Sequence, residues 1–293
     1  MENGFITSYK DIKQLKPKTL RGTLRDLALS GLSLGSSSSV FKKPRVQFIY
    51  IHHIFKDEEA GLRNLMEFLK KDHEFISYTE AIHKITTGSI DKPYVTFSSD
   101  DGLQNNLKAA EILNEYNASA CFFINPGIIG ETNTDKLKQY CHDQLQFHPV
   151  EFMNWSEVAK LQQQGHEIGN HTMLHMNVAK ASEQELRDDL SKSLQILRQR
   201  CGSEVGHFAF PFGRFFHFSK AGRKVVFETG HTSCATAERG CHINPAAPMT
   251  AEELCIRRDH VVLGWDMSHI QYFLANSAKK VTAQNNFYPE LLQ

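Results

Sequence analysis

The chain has 293 residues, 41% of them hydrophobic, and its 33 basic and 33 acidic side chains give a formal net charge of zero. That length allows one large domain or two small ones. A balanced charge gives no general electrostatic attraction to nucleic acid or to anionic membranes, so the sequence predicts no nucleic-acid partner. It contains no run of about 18 apolar residues, which excludes a predicted transmembrane segment.

The chain start and the cysteines indicate a compartment. Residues 1–10 carry polar and charged side chains where a secretory signal peptide has an apolar core, so we expect a cytoplasmic location. The six cysteines are scattered, and none forms a CxxC pair. In a cytoplasmic chain of this length we expect free or buried thiols rather than a zinc site built on cysteine.

Residues 1–45 are poorly patterned. Residues 16–25 are basic, and residues 30–40 are rich in Gly and Ser. Gly/Ser-rich stretches are typical of segments with few packing partners. We interpret residues 1–45 as an N-terminal extension, either a mobile arm or a surface-packed segment, with a membrane-touching arm or an oligomer contact as the alternatives.

From residue 46 to residue 293, short apolar runs alternate with helical patterns. Strands are predicted at residues 46–51, 94–98, 118–124, 166–169, 207–210, 232–236 and 254–257. Helices are predicted at 60–70, around 109–116, and after the capping boxes Asn154/Glu157 and Ser182/Glu185. This alternation predicts a single α/β domain with a parallel sheet, and the number of repeats suits a closed or nearly closed barrel.

Two adjacent carboxylates, Asp100 and Asp101, follow directly on the strand predicted at residues 94–98. In parallel α/β folds the carboxyl ends of the strands form the active-site face. Adjacent carboxylates there are costly unless something neutralises them, and a divalent cation is the usual partner. Taken alone, the pair is also typical of a solvated turn.

A second strand end carries His171 and His175. A spacing of four residues places both imidazoles on one side of a helical turn, within reach of one ion. Two histidines and one carboxylate form a ligand set that leaves coordination positions open for water and substrate. Such a site suits Zn²⁺ first, and other first-row divalent metals also fit it.

Two further strand ends carry candidate site residues. Pro211, Phe212 and Gly213 follow one predicted strand, where proline fixes the backbone and glycine permits close approach of a ligand. A plain turn is the alternative. Arg258 and His260 follow the last predicted strand, and a solvated strand edge is the alternative for them.

Three motifs in this order point to one family. Residues 96–102, Thr-Phe-Ser-Ser-Asp-Asp-Gly, and residues 165–175, Gly-His-Glu-Ile-Gly-Asn-His-Thr-Met-Leu-His, resemble the first and second motifs of the polysaccharide deacetylases. Residues 208–213, Phe-Ala-Phe-Pro-Phe-Gly, resemble the third. Residues 51–53, Ile-His-His, are similar to the entry segment of bacterial members. The resemblance to this family (NodB homology domain, carbohydrate esterase family 4) covers most of the chain after residue 45.

The resemblance implies a distorted (β/α) barrel and an N-acylated amino sugar or glycan as substrate. By position, Asp101, His171 and His175 would bind a divalent metal and Asp100 would be the general base. The ion would activate water and polarise the amide carbonyl. A backbone N–H from residues 211–213 would help to stabilise the oxyanion.

The sequence departs from the family pattern at two places. The third motif usually begins with an arginine that orients the base, and here that position is Ala209. Arg257 and Arg258 are the nearest substitutes, and we predict Arg258 for this role. The late Leu-x-His motif that supplies the general acid is not found, so His260 is the first candidate for that role and His269 the second.

Three functions are compatible with the sequence. The first is removal of an N-acetyl group from an amino sugar or polysaccharide precursor, in surface polysaccharide biosynthesis. The second is hydrolysis of another N-acyl amide, such as an N-formyl sugar, at the same site. The third is a non-catalytic carbohydrate-binding protein on a deacetylase fold. The missing arginine and histidine favour the third, whereas retention of base and metal ligands together argues against it.

Overall fold

The computed structural model describes residues 4–15, 38–201 and 205–292. The basic stretch at 16–25, and residues 30–37 of the Gly/Ser-rich stretch, lie outside these ranges. The strands are β1 (Arg45–Ile51), β2 (Glu74–Phe75), β3 (Pro93–Ser99), β4 (Ala120–Ile124), β5 (Glu167–Asn170), β6 (His207–Ala209), β7 (Ser233–Ala235), β8 (Cys255–Ile256) and β9 (Arg258–His260).

The helices surround these strands. The α-helices are α1 (Tyr9–Leu15), α2 (Glu59–Leu69), α3 (Tyr78–Thr87), α4 (Asn106–Glu115), α5 (Thr134–Tyr140), α6 (Trp155–Gln163), α7 (Glu183–Cys201), α8 (Lys220–Glu228) and α9 (Met267–Lys279). Short 3-10 or π helices cover Ser38–Lys42, Lys56–Glu58, Cys141–Leu145, Phe215–His217, Ala283–Asn286 and Glu290–Leu292. None of the helices in the described ranges is both long and apolar enough to cross a membrane.

The sheet is parallel and nearly closed. Its order is β8-β7-β6-β5-β4-β3-β1-β9, and β2 pairs beside β3. β8 and β9 are separated in the chain by Arg257 alone, yet β8 pairs with β7 and β9 pairs with β1, at opposite edges of the sheet. The chain bend at Arg257 therefore brings the two edges together. The predicted distorted (β/α) barrel is confirmed.

Alternation along the strands divides the core into two layers. Val46 and Phe48 of β1 pack with Phe123 of β4 and residues of β6, β7 and β8, in the barrel interior. Ile49 and Ile51 of β1 face outwards and pack against the covering helices. Both faces of a parallel sheet are buried, which is why these strands read as continuous apolar runs in the sequence.

The helix starts that were predicted from capping boxes are confirmed. Asn154 Oδ1 accepts hydrogen bonds from the Ser156 and Glu157 amides, and Glu157 accepts one from the Asn154 amide. Ser182 and Glu185 form the same reciprocal pair. Four leucines of α7 form the predicted buried stripe, Leu186, Leu190, Leu194 and Leu197.

Other elements differ from the sequence-based expectation. Strand ends shift by one or two residues, and β9 is not predicted as a strand because its three residues, Arg258–His260, are all polar. The helix α3 was also not predicted. Its start does carry a signal, since Ser77 Oγ accepts a hydrogen bond from the Glu80 amide in a Ser-x-x-Glu pattern.

Part of the N-terminal region is packed on the barrel. Phe5, Ile6 and Ile12 are buried in a cluster with apolar residues of α5 and of the segment before α6. The Ile6 amide donates a hydrogen bond to the Pro149 carbonyl over 2.9 Å. Residues 4–15 are thus a surface-packed segment that lies beside the carboxyl ends of the strands.

Candidate active site

The predicted site residues meet at the carboxyl end of the barrel. A cavity of about 540 Å³ opens there between the loops that follow the strands. Seven of the predicted residues line it: Asp100, Asp101, His171, His175, Phe212, Gly213 and His260. Pro211 and Arg258 are buried next to it. The cavity has the size of a small-molecule binding site.

Asp101, His171 and His175 form a compact ligand set. One potential ligand atom from each lies within 4.8 Å of the others, and all three residues are buried. The Nε2 atoms of His171 and His175 lie 3.4 Å and 3.6 Å from Oδ1 of Asp101. β3 and β5 are separated in the sheet only by β4, which explains how residues 70 positions apart come together.

Backbone carbonyls orient both imidazoles. The Nδ1–H of His171 donates to the Ala209 carbonyl over 2.7 Å, and that of His175 donates to the Gln144 carbonyl over 3.1 Å. In its neutral form, each ring therefore presents an unprotonated Nε2 towards Asp101. Asp101 and His175 adopt left-handed backbone conformations, with φ of 76° and 59°. Strain of this kind is concentrated at functional sites.

The environment of Asp101 fits a bound cation. Its Oδ1 is buried without a hydrogen-bond partner in the structure. Burial by itself would raise the pKa of this carboxyl, but His171 and His175 lower it to well below its usual range. A buried carboxylate oxygen facing two ring nitrogens without a hydrogen bond is costly unless a cation lies between them. The donor set of one carboxylate and two imidazoles suits Zn²⁺ or a related divalent ion.

Asp100 is satisfied in a different way. Its two carboxylate oxygens accept hydrogen bonds from Nη1 and Nη2 of Arg258 over 2.7 Å and 2.9 Å. Burial would raise the pKa of Asp100, but the charge of Arg258, together with that of His171, lowers it below its usual value. The carboxylate is therefore ionised at neutral pH and fixed in orientation by a bidentate pair.

Arg258 is held rigidly in the barrel. Its Nε donates to the Thr236 carbonyl over 2.8 Å, and its guanidinium lies 4.4 Å from the ring centroid of Tyr50. Although burial opposes its charge, Asp100 raises its pKa further above the usual value. Arg258 thus pairs with Asp100, the residue that we predicted it to orient. By contrast, Arg257 donates to the Asn285 carbonyl on another side of the strand.

Ala209 shows why the arginine comes from a different strand. Ala209 ends β6, is completely buried and packs inside the barrel. Arg258 approaches Asp100 from β9, whose neighbour β1 lies beside β3. Asp100 is therefore paired with an arginine that comes from β9 rather than from β6. No local sequence signal identifies this exchange, because it depends on the pairing of β9 with β1.

His260 lies in the cavity beside a histidine that sequence reasoning did not assign to the site. The Nε2 of His260 is 3.3 Å from the Nδ1 of His52, and the His260 ring stacks on Tyr50 with centroids 4.9 Å apart. Burial lowers the pKa of both imidazoles. Asp101 and Asp100 partly oppose this shift at His52. The Ile-His-His segment was the signal that could have identified His52. His269 is buried in α9 and does not line the cavity.

Phe212 and Gly213 form a tight turn at the cavity wall. Both have positive φ, 63° and 64°, and the Gly213 carbonyl accepts a hydrogen bond from the Ala237 amide over 2.7 Å. A Cβ atom at Gly213 would lie 2.3 Å from the Cβ of Ala237, so glycine is required there. The Phe212 ring packs against His175 with centroids 4.7 Å apart. This turn therefore places main-chain groups next to the metal-ligand set.

Comparison with known sequences agrees with these motifs. The family model for polysaccharide deacetylase matches residues 87–233. A peptidoglycan-N-acetylglucosamine deacetylase of Bacillus cereus is 29% identical over 139 residues, which are 47% of this chain and 42% of the relative. The match thus spans about two fifths of that relative's length.

Solved structures share the fold. IcaB from Ammonifex degensii superposes with a TM-score of 0.62 at 16% identity, over 81% of this chain and 98% of that one. The Streptococcus pyogenes deacetylase PplD in complex with acetate gives 0.59 at 15% identity, over 80% and 99%. A de-N-acetylase from Aggregatibacter actinomycetemcomitans gives 0.62 at 18% identity, over 78% and 99%. Since the family model covers half of the sequence, including all three motifs, the chain belongs to the polysaccharide deacetylase family.

Proposed function

We propose that the protein is a metal-dependent hydrolase that removes the N-acetyl group from an amino sugar of a glycan or polysaccharide precursor. The observation that carries the proposal is the pair of adjacent carboxylates. Asp101 faces two imidazoles in a set that suits a cation, and Asp100 is held by Arg258. Membership of the family and the activity named for the Bacillus cereus relative support the same reaction.

Asp101, His171 and His175 would hold the divalent ion. When bound, such an ion supplies Lewis acidity, which polarises the amide carbonyl and makes water more acidic. Asp100 accepts the proton of the attacking water, and the bidentate pair with Arg258 keeps its carboxylate ionised and fixed in orientation. The backbone N–H groups of Phe212 and Gly213 are the candidates for stabilising the negative charge on the carbonyl oxygen.

The leaving amine needs a proton when the C–N bond breaks. We assign this step to His52, with His260 as its hydrogen-bond partner. Burial lowers the pKa of both imidazoles, but Asp101 and Asp100 partly oppose this shift at His52, whereas Arg239 and Arg258 lower the pKa of His260 further. The products are then acetate and the free amino sugar. His260, predicted from sequence as the acid, becomes a residue that orients the acid.

Acetate release from an N-acetylglucosamine tetramer, measured with and without a chelator, tests the proposal. We expect acetate release that the chelator abolishes and added Zn²⁺ restores. An N-formyl analogue, assayed in parallel for formate, decides between acetyl and formyl substrates. Binding of the tetramer without release of either acid would contradict the proposal and favour the carbohydrate-binding alternative. The cytoplasmic location and the role in surface polysaccharide synthesis stay predictions.

A further inference from the structure

The N-terminal segment, residues 4–15, is anchored at the rim of the cavity. The amides of Tyr9 and Lys10, at the start of α1, donate to the two carboxylate oxygens of Asp57 over 2.9 Å and 3.2 Å. Ile12, one turn further on, is buried. These contacts fix α1 against the loop that follows β1 rather than leaving it as a free arm.

Two residues of this segment line the same cavity as the metal ligands. Tyr9 and Ile12 contribute to its wall, together with His53 after β1 and Trp265 after β9. The ring centroid of Tyr9 lies 6.4 Å from that of His53. A Cβ atom at Gly264 would lie 2.1 Å from Cδ1 of Tyr9, so the ring packs directly on the backbone beside Trp265.

Glu58 joins the two loops that Tyr9 covers. The buried carboxylate accepts a hydrogen bond from the Gly264 amide over 3.0 Å, and its other oxygen lies 2.9 Å from Nδ1 of His53. Tyr9 packs over this junction and extends the wall outwards. The rim on this side therefore combines aromatic and apolar surface with a rigid base.

A sugar ring has apolar C–H faces that pack on aromatic side chains, while its hydroxyl groups bond to polar groups. We propose that residues 4–15 are a substrate-binding wall of the cleft and that Tyr9 is a specificity-determining residue, which contacts the sugar that carries the acyl amide. This inference rests on the proposed function for its substrate. It assigns the N-terminal segment a direct part in substrate recognition, and Tyr9 takes no part in the chemical step.

The first test is Tyr9→Ala with an N-acetylglucosamine tetramer as substrate. Loss of one aromatic contact should raise KM about three- to tenfold, with kcat nearly unchanged and metal content the same. Tyr9→Phe keeps the ring and should behave like the wild type. Tyr116→Ala is the matched control, because both tyrosines are half-buried and each has a lysine over its ring, Lys13 at Tyr9 and Lys70 at Tyr116. It lies at the end of α4, away from the cavity.

A second variant displaces the ring without removing it. Gly264→Ala introduces a Cβ that collides with Tyr9, so it should raise KM by a similar factor. In the Tyr9→Ala background the collision is gone, and Gly264→Ala should then have little further effect. This non-additivity is the signature of the contact. Additive effects of the two changes would overturn the assignment.

Binding is measured separately from turnover, through the change in tryptophan fluorescence when the tetramer binds near Trp265. A wild type that binds the tetramer but releases no acid would refute the proposed reaction, while weaker binding by Tyr9→Ala would still support the wall. A Tyr9→Ala variant that binds and reacts as the wild type does would overturn the inference. So would loss of bound metal in that variant, because it would indicate a purely structural role.

Discussion

Asp100 and Asp101 are neighbours in the chain, both buried at the end of β3, yet their surroundings differ in kind. Asp100 has both oxygens paired with a protein cation, Arg258. Asp101 faces two imidazoles, and its Oδ1 is without a hydrogen bond. One carboxylate is neutralised by the barrel itself, and the other is left for a ligand.

This difference separates two roles within one dipeptide. In our proposal, environment rather than residue type decides that Asp100 serves as base and Asp101 as metal ligand. Asp101 adopts a left-handed backbone conformation, with φ of 76°. The side of the site that holds Arg258 is therefore neutralised by protein, and we propose that a cation completes the opposite side.

The largest expected effect comes from removing the base. Asp100→Asn keeps the shape of the side chain but cannot accept the proton of water, so turnover should fall about 10²- to 10⁴-fold. The rate of acetate release measures this. Asp91→Asn, at an exposed position, is the control and should keep wild-type turnover. Full activity in Asp100→Asn would show that the base is another group.

Breaking the ion pair between Asp100 and Arg258 should destabilise the fold. Arg258→Met leaves Asp100 buried without its cation, which should cost about 3–5 kcal/mol in the free energy of unfolding. Denaturant unfolding of the purified variant measures it. The double variant Asp100→Asn/Arg258→Met removes both charges and should recover much of that loss. Equal destabilisation of the single and double variants would mean that the unpaired charge of Asp100 is not what destabilises Arg258→Met.

The proton-donating histidine gives the next effect in size. His52→Gln should lower kcat about 10²-fold without loss of the metal, since no hydrogen bond joins His52 to Asp101, His171 or His175. His260→Gln should have a smaller effect, because it removes only the partner of His52. The reverse order of the two effects would return the acid role to His260, as first predicted from the sequence.

The smallest effect concerns the loop that carries the metal ligands. Asp189 on α7 accepts a hydrogen bond from the Met173 amide over 2.9 Å, and burial raises its pKa from 3.8 to about 6. Because the folded-state pKa is raised, its favourable contribution is complete below pH 3.8 and is lost as pH rises through about 6. Asp189→Asn keeps the acceptor and should be about 1–3 kcal/mol more stable than the wild type at high pH.

Unfolding experiments across a pH series measure this difference. The stability gain of Asp189→Asn should vanish in acid, where Asp189 of the wild type is protonated. A gain that is independent of pH would contradict the raised pKa as its cause. The pH series tests whether the ionisation of Asp189 lowers the stability of the loop that carries His171 and His175.

The sequence predicted the candidate metal ligands, Asp101, His171 and His175, better than it predicted the pairing of Asp100 with Arg258. Asp101, His171 and His175 are carried by local motifs at strand ends, and parallel strands bring their carboxyl ends together whatever their order. The barrel followed from the alternation of apolar runs and helical patterns. These features depend on the spacing of residues that are close together in the chain, and a single sequence is enough to show that spacing.

The features of the site that the sequence predicted less well depend on contacts between distant parts of the chain. That Arg258 meets Asp100 follows from the pairing of β9 with β1, and β9 itself lacks an apolar pattern. The position of residues 4–15 depends on Asp57 and on the Pro149 carbonyl, which no local pattern in that segment indicates. His52 was recognised only as part of a family-like segment, because its partner His260 is more than 200 residues away.

Metal content of the purified protein tests the central comparison most directly. The wild type and Asp100→Asn should each bind one divalent ion per chain, whereas Asp101→Asn and His171→Ala should bind none after reloading and removal of excess metal. Equal metal content in Asp101→Asn and the wild type would contradict the assignment of Asp101 to the ion. A wild type that binds no divalent metal would contradict the whole account of the site.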